Sequence, residues 1–324
     1  MLLVEYLHYI VAFPTISLNL LLILLIVFST GKAFRSYAIL LLANAVADML
    51  YTIFETLAMT RVIPIDNNLA LVFHGVCKFI NWKVCFDAHA ISIHLVTFTL
   101  TLLPISFWYR YRVTQKTQPP PRKIILLILI AYLPSLLTMI PFTFAGVTPE
   151  RMLAILAETN HSFQALNLGD SAISGLEPVW NVKAISFDVW LCCPCFPVYS
   201  LAFLYRKKFI SALRGSTLSH RTKSLQENCV RALTIQACFP IVFMAFSSTY
   251  MYRQFRLPGY LSLPYSDELI FLSFSVLSGL SPIVSLYFIL PYRNRLLELV
   301  HIRHRPSYRV STVHNSVTRK SQIY

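Results

Sequence analysis

Seven stretches of this chain, at residues 7–28, 37–59, 86–107, 124–144, 185–205, 232–252 and 268–290, are each 21 to 23 residues long, strongly apolar and free of lysine and arginine. A helix rising about 1.5 Å per residue needs roughly 20 apolar residues to cross the hydrocarbon core of a bilayer. Seven such runs predict an all-α membrane protein, a bundle of seven transmembrane helices, rather than a soluble fold with buried hairpins. Composition supports this: 56% of the 324 residues are hydrophobic and 13% charged, whereas about a quarter are charged in soluble domains. The third and fifth runs each hold an aspartate, and the third also holds His89 and His94. Ionisable groups at that depth are expected to face a bundle interior or a hydrated cavity.

A formal charge of +14 would suggest nucleic acid or an acidic surface in a soluble chain. In a membrane chain the location of the cations carries the information, and no nucleic-acid partner is expected. The segments after the first, third, fifth and seventh runs hold 21 of the 28 Lys and Arg, while the amino terminus and the remaining segments hold 7. Basic segments stay in the cytoplasm, so the amino terminus is expected outside and the carboxyl terminus inside. The sequon Asn160-His161-Ser162 lies after the fourth run, on the side assigned to the exterior, where glycosylation of Asn160 is expected. The first run lacks a basic n-region, is too long for a signal peptide and is followed by Lys32 and Arg35, so it is expected to be a permanent helix. Two parts follow: a membrane domain over residues 1–292 and a basic cytoplasmic tail over 293–324.

The stretch "SFWYRYRVTQKTQPPPRK" at 106–123 makes the second cytoplasmic loop. Arg110 and Arg112 are expected to snorkel at the end of the third helix, and Pro119, Pro120 and Pro121 prevent it from fusing with the fourth. After the seventh run, "YRNRLLELV" places Tyr292, Leu296 and Leu299 on one face beside Arg293 and Arg295, the pattern of a short amphipathic helix on the membrane surface.

Several polar groups fall inside the runs. Asn44 and Asp48 lie one turn apart on one face of the second, with Asp48 near the bilayer centre, and are expected to form an intramembrane polar switch facing inward. Glu55, Asp87 and Asp188 should lie at similar depth toward the exterior, and His94 shares the helical face of Asp87. With no basic side chain in any run, these groups must be protonated, hydrated, paired with histidine or offset by a cation from elsewhere. An acidic, aromatic-lined outer ligand pocket built from Glu55, Asp87, His94 and Asp188 is one expectation, and hydrated interfacial residues without a ligand role are the other. Pro134, Pro141, Pro194, Pro197, Pro240 and Pro282 each free a backbone carbonyl and permit bends. "CCPCFP" at 192–197 has cysteines but no histidine pair, so they are expected to pack rather than bind metal.

The motifs resemble a known family. "LLANAVADML" is similar to the second helix of rhodopsin-like receptors, but "WYRYR" carries Tyr109 where an acid is usual, and "SPIVSLYF" places Ser281 before Pro282 with Tyr287 displaced. Together with "SFWYRY", "LTIQACFPIV", in which Gln236 precedes Pro240 by four residues, and "FILPYRNR", the ordered set resembles the nematode seven-transmembrane chemoreceptors of the Str superfamily, closest to serpentine receptor class delta. The resemblance implies a G-protein-coupled chemosensory receptor in the plasma membrane of sensory neurons. It implies a small-molecule environmental ligand entering from outside and a heterotrimeric G protein engaged near Arg110, Tyr111 and Arg293. Rhodopsin-like receptors tie the third helix to the following outer loop by a disulfide, yet residues 145–184 contain no cysteine; Cys77 and Cys85, both near the outer face, could pair with each other instead. A small multi-pass transporter is the alternative function, although unlike spans do not divide into the repeats it would usually show. No catalytic motif or phosphate-binding glycine loop occurs, and neither enzyme activity nor a cofactor is expected.

Overall fold

The computed structural model describes residues 2–31, 34–115, 117–159, 170–193, 195–216, 220–254 and 266–300. Along the chain run α1 (Leu2–Ser29), α2 (Arg35–Ala58), β1 (Thr60–Ile65), β2 (Asn68–Phe73), α3 (Trp82–Thr114), α4 (Pro121–Thr143), α5 (Pro149–Glu158), β3 (Ala172–Leu176), α6 (Val182–Cys192), α7 (Cys195–Arg214), α8 (His220–Gln254), α9 (Ser266–Phe288) and α10 (Leu290–Leu299). Six of these, α1 to α4, α8 and α9, are long and apolar enough to cross a membrane. Over the run expected at 185–205 the described residues form two helices, α6 packed against α4 and α7 against α3, and neither is among the six. The helical bundle is the expected fold class.

Burial separates the helices by position. α3 packs against α2, α4, α7 and α8 and is buried along most of its length. On α4, by contrast, only Ile124, Ser135 and Phe142 are buried, while Leu126, Leu129, Ile130, Leu133 and Leu137 stand exposed. A stripe of that kind is unfavourable in water and costs nothing against acyl chains. Helices also outrun their apolar segments. α3 continues to Thr114 and α8 begins at His220, so the loops expected at 108–123 and 206–231 are much shorter than hydropathy indicates. Apolar length measures membrane thickness; a helix continues into water wherever its backbone bonds and packing persist.

Pro14, Pro104, Pro134, Pro141, Pro240 and Pro282 all lie inside helices, Pro197 is in the first turn of α7, and Pro194 falls outside the described residues. Pro282 has no N–H for the Ser278 carbonyl four residues earlier. Asn19 of α1 supplies one instead, its Nδ2 donating to that carbonyl at 3.1 Å. Gly279 permits the approach, since a Cβ there would stand 2.5 Å from Thr15 Oγ1.

One end of the bundle is closed by a sheet that hydropathy did not reveal. β1 and β2 form an antiparallel hairpin from Thr60↔Phe73 to Ile65↔Asn68, turning at Asp66, whose φ of 47° a short polar side chain tolerates. β3 adds to β2 from Leu69↔Leu176 to Phe73↔Ala172. At Gly175 a Cβ would meet the Leu69 carbonyl oxygen at 2.0 Å, so the ladder needs glycine there. Ile63, Ala70, Val72 and Ile173 pack beneath Met152, Ile155 and Leu156 of α5. A disulfide joins Cys77, in a short turn after β2, to Cys85 in the first turns of α3.

At the opposite, basic end the short helix expected after the seventh crossing is α10. Its expected apolar face divides: Tyr292 is buried and shares a 3.0 Å hydrogen bond with Thr30, the residue after α1, whereas Leu299 is 54% exposed. Residues 301–324 lie outside the described set.

Candidate functional site

The basic end is organised around Arg110. Snorkelling into solvent was the expectation; instead the residue is 1% exposed, because α2 and α8 close over it. Its Nη1 donates to Gln226 Oε1 of α8 at 3.2 Å, and its guanidinium carbon lies 3.4 Å from the centre of the Tyr37 ring of α2. A cation–π contact and one bond to a neutral amide offset part of the desolvation cost of a buried cation. Nε and Nη2 have no partner among the described residues. Arg110 thus holds three helices together while retaining unused donors. Tyr111, next to it, faces Tyr205 of α7 with ring centres 6.3 Å apart, and Arg293 Nε on α10 is buried without a partner among the described residues. Gln226 and Tyr37 were not singled out from sequence. Gln226 fell in a segment that hydropathy assigns to a loop, and Tyr37 sits at the edge of an apolar run like many other aromatics.

Deeper in the bundle, Asn44, Asp48, Gln236 and Ser281 come together. Asn44 Nδ2 donates to Asp48 Oδ2 at 2.8 Å and approaches Ser281 Oγ at 3.4 Å. Gln236 Nε2 donates to the Ser281 carbonyl at 3.1 Å, Ser281 Oγ at 3.0 Å and Ser285 Oγ at 3.1 Å. These groups line a cavity of about 60 Å³ with Pro240 at its wall, room for a few waters. The cluster spans α2, α8 and α9, with Ser281 and Gln236 beside Pro282 and Pro240, so it joins the proline-containing helices at one level. The "SP" and "Q-x-x-x-P" spacings were the visible signals; that Ser281 joins Gln236 to Asn44 was not.

At the sheet end the proposed acidic residues do not share one set of partners. Glu55 is fully buried and accepts from the Thr60 backbone N–H at 3.2 Å, with Oε2 left unpartnered. Asp87 pairs with Lys83 one turn earlier, and Lys83 also donates to the Thr143 carbonyl of α4 at 2.8 Å. The absence of cations from the runs therefore did not leave Asp87 unpaired, because α3 begins four residues before the third run. His94 shares a 2.7 Å hydrogen bond with Ser135 Oγ and meets the Tyr132 ring edge-on, so it faces α4 and not Asp87. Asp188 is on α6 with its side chain outside the described set, and Asn160 is outside it altogether. His89, between the rings of Phe73 and Phe271, is 2% exposed with Nδ1 unpartnered.

Two groups in the connecting segments show the electrostatics of this end. Burial pushes the His74 imidazole down to about 4, with the cations of Arg61 and Lys78 acting in the same direction. His74 Nδ1 shares a 2.7 Å hydrogen bond with Ser171 Oγ, bridging the two loops that form the sheet. On the outer rim, Arg151 Nε donates to Glu177 Oε2 at 2.8 Å and holds that carboxyl below its ordinary range.

Comparison with known proteins places these features in context. The pattern described as serpentine type 7TM GPCR chemoreceptor Srd matches residues 4–298. Serpentine receptor class delta-3 of Caenorhabditis elegans is 31% identical over 288 residues, covering 87% of this chain and 83% of the relative. Serpentine receptor class delta-1 of the same organism is 31% identical over 306 residues, covering 92% and 82%. Among solved structures, squid rhodopsin superposes with a TM-score of 0.66 at 12% identity, covering 92% of this chain and 85% of its own. That likeness concerns the fold.

Proposed function

We propose a signalling cycle on the premise that the chain belongs to the Srd family of serpentine seven-transmembrane chemoreceptors, and is thereby a multi-pass membrane receptor of the G-protein-coupled type serving chemosensation. The sheet end faces the exterior and the basic end the cytoplasm, as the distribution of cations requires. A small environmental molecule enters from the sheet side and binds among the helices. The complex that it favours has α8 and α9 displaced against α2 and α3, with the Asn44–Asp48–Ser281–Gln236 cluster rearranging at the proline level. Arg110 then leaves Gln226, and the face bearing Arg110, Tyr111 and Arg293 admits a heterotrimeric G protein. The plasma membrane of a sensory neuron is the setting such a receptor serves.

The observation that carries this reading is Arg110 itself, a buried cation held across helices by one bond to a neutral amide and one ring contact. Such a contact is strong enough to favour one packing and weak enough for ligand binding to reverse, since a hydrogen bond to a charged group is worth about 1.5–3 kcal/mol. Nucleotide exchange on purified heterotrimeric G proteins, with the receptor in nanodiscs, tests it. Receptor-dependent exchange is expected; solute movement in vesicles with no exchange on any heterotrimer would mark a transporter and refute it.

A further inference from the structure

We propose that the cleft between the basic ends of α7 and α8 is a binding site for a phospholipid with a multiply phosphorylated headgroup. The cleft has a volume of about 640 Å³. Its mouth carries Arg206 and Arg214 from α7 and Lys223 and Arg231 from α8. Among the described residues no carboxylate pairs with any of the four; Arg206 donates only to Thr234 Oγ1, at 3.1 Å. Glu227 is the one acid in the lining. Four cations against one acid exceed what a single phosphodiester neutralises, so a headgroup bearing further phosphates is the complementary ligand.

Depth points to a lipid. Arg206 directly follows the fifth apolar run and Arg231 directly precedes the sixth, the level at which hydrocarbon gives way to headgroups. Between these cations the walls are apolar, with Phe209, Leu213 and Val230 buried and Phe288 of α9 also in the lining. Ile235, also in the lining, is 39% exposed, so the cleft opens sideways onto the apolar flank of the bundle where acyl chains lie. α7 and α8 are bridged on the deep side by Tyr199, whose hydroxyl donates to the Ala237 carbonyl at 2.7 Å. A lipid wedged below that bridge would set the separation of the two helices. The proposal draws on the preceding orientation only for which leaflet supplies the lipid, and nanodiscs with the same lipids in both leaflets test the cleft regardless of orientation.

Full-length receptor is assembled in phosphatidylcholine nanodiscs containing either phosphatidylserine or a phosphatidylinositol bisphosphate at equal mole fraction. Lipid retained per receptor is then counted by native mass spectrometry after release into detergent. Retention of the bisphosphate is expected to exceed that of the serine lipid by roughly tenfold, and R214Q/R231Q, at two exposed positions, to remove most of that excess. K207Q/K208Q removes equal charge from exposed positions outside the cleft and should leave retention unchanged. Equal retention of the two lipids, or equal loss in both double variants, would overturn the proposal. So would soluble inositol trisphosphate binding as tightly as the lipid, which marks a free-phosphate site. Protection of the cleft by a G protein with no lipid retained assigns it to the protein instead.

Discussion

The two ends of this bundle are held by different kinds of bond. At the sheet end, a disulfide, a three-stranded ladder and the His74–Ser171 bridge fasten the loops to one another and to α3. At the basic end the helices meet through the Arg110–Gln226 bond, the Tyr37 ring stack and the Thr30–Tyr292 pair, beside a cleft large enough to hold a ligand. A disulfide yields to reduction and a ladder to unfolding, whereas a lone side-chain bond yields by rotamer change. The sheet end is therefore the more rigidly tied of the two, and the basic end the one whose contacts exchange most readily.

That contrast can be broken most directly at the disulfide. Replacing both Cys77 and Cys85 with serine should lower stability by about 2–3 kcal/mol, from the freedom the short loop regains in the unfolded chain, seen as a drop in Tm of the detergent-purified receptor. An unchanged Tm would mean that the sheet end does not depend on its covalent tie. The basic end should respond in function rather than stability. Gln226→Ala is expected to raise ligand-free nucleotide exchange roughly tenfold, and Gln226→Glu to depress it by supplying a carboxylate to Arg110. If both variants leave basal exchange at the wild-type level, the contact is not part of the switch.

Acidification sharpens the comparison further. Folded His74 titrates near 4, below its unfolded value of 6.5, so the native state binds fewer protons and loses stability as pH falls from about 7 toward 4. The loss should reach about 1 kcal/mol by pH 6 and vanish in His74→Gln, followed as Tm against pH. The smallest effect belongs to the rim. Arg151 is exposed and Glu177 half-buried, and Arg151→Gln should leave the midpoint of a denaturation titration essentially unchanged. A larger change would show that the pair braces β3 rather than decorating it.

Much of the fold was legible because lipid imposes a simple rule: apolar length must match membrane thickness. That rule marked six helices long and apolar enough to cross a membrane, and the cations gather in alternate connecting segments. It did not show the sheet, since "TRVIPI" and "NLALVF" are too short to register as spans and their strand character emerges only when β3 arrives from about a hundred residues away. The division of the fifth run into α6 and α7 escaped for a related reason, because hydropathy sums over a window without regard to where one helix ends and the next begins. In the candidate site, Asn44 and Asp48 stood out as polar groups inside an apolar run, Gln236 by its spacing to Pro240, and Arg110 as a cation at the end of the third run. Their partners did not: Gln226, Tyr37 and Ser135 are ordinary residues in sequence and acquire a role only by facing them.

By itself, then, the sequence determined that this chain lives in a bilayer, which segments are apolar enough to enter it and which connecting segments are charged, because transfer free energy is additive along a segment and needs no neighbour. Only the tertiary structure decided which polar group meets which. Hydrogen bonds and ring contacts are directional and short-ranged, and the pairs that make them, Arg110 with Gln226 and His94 with Ser135, are 116 and 41 residues apart.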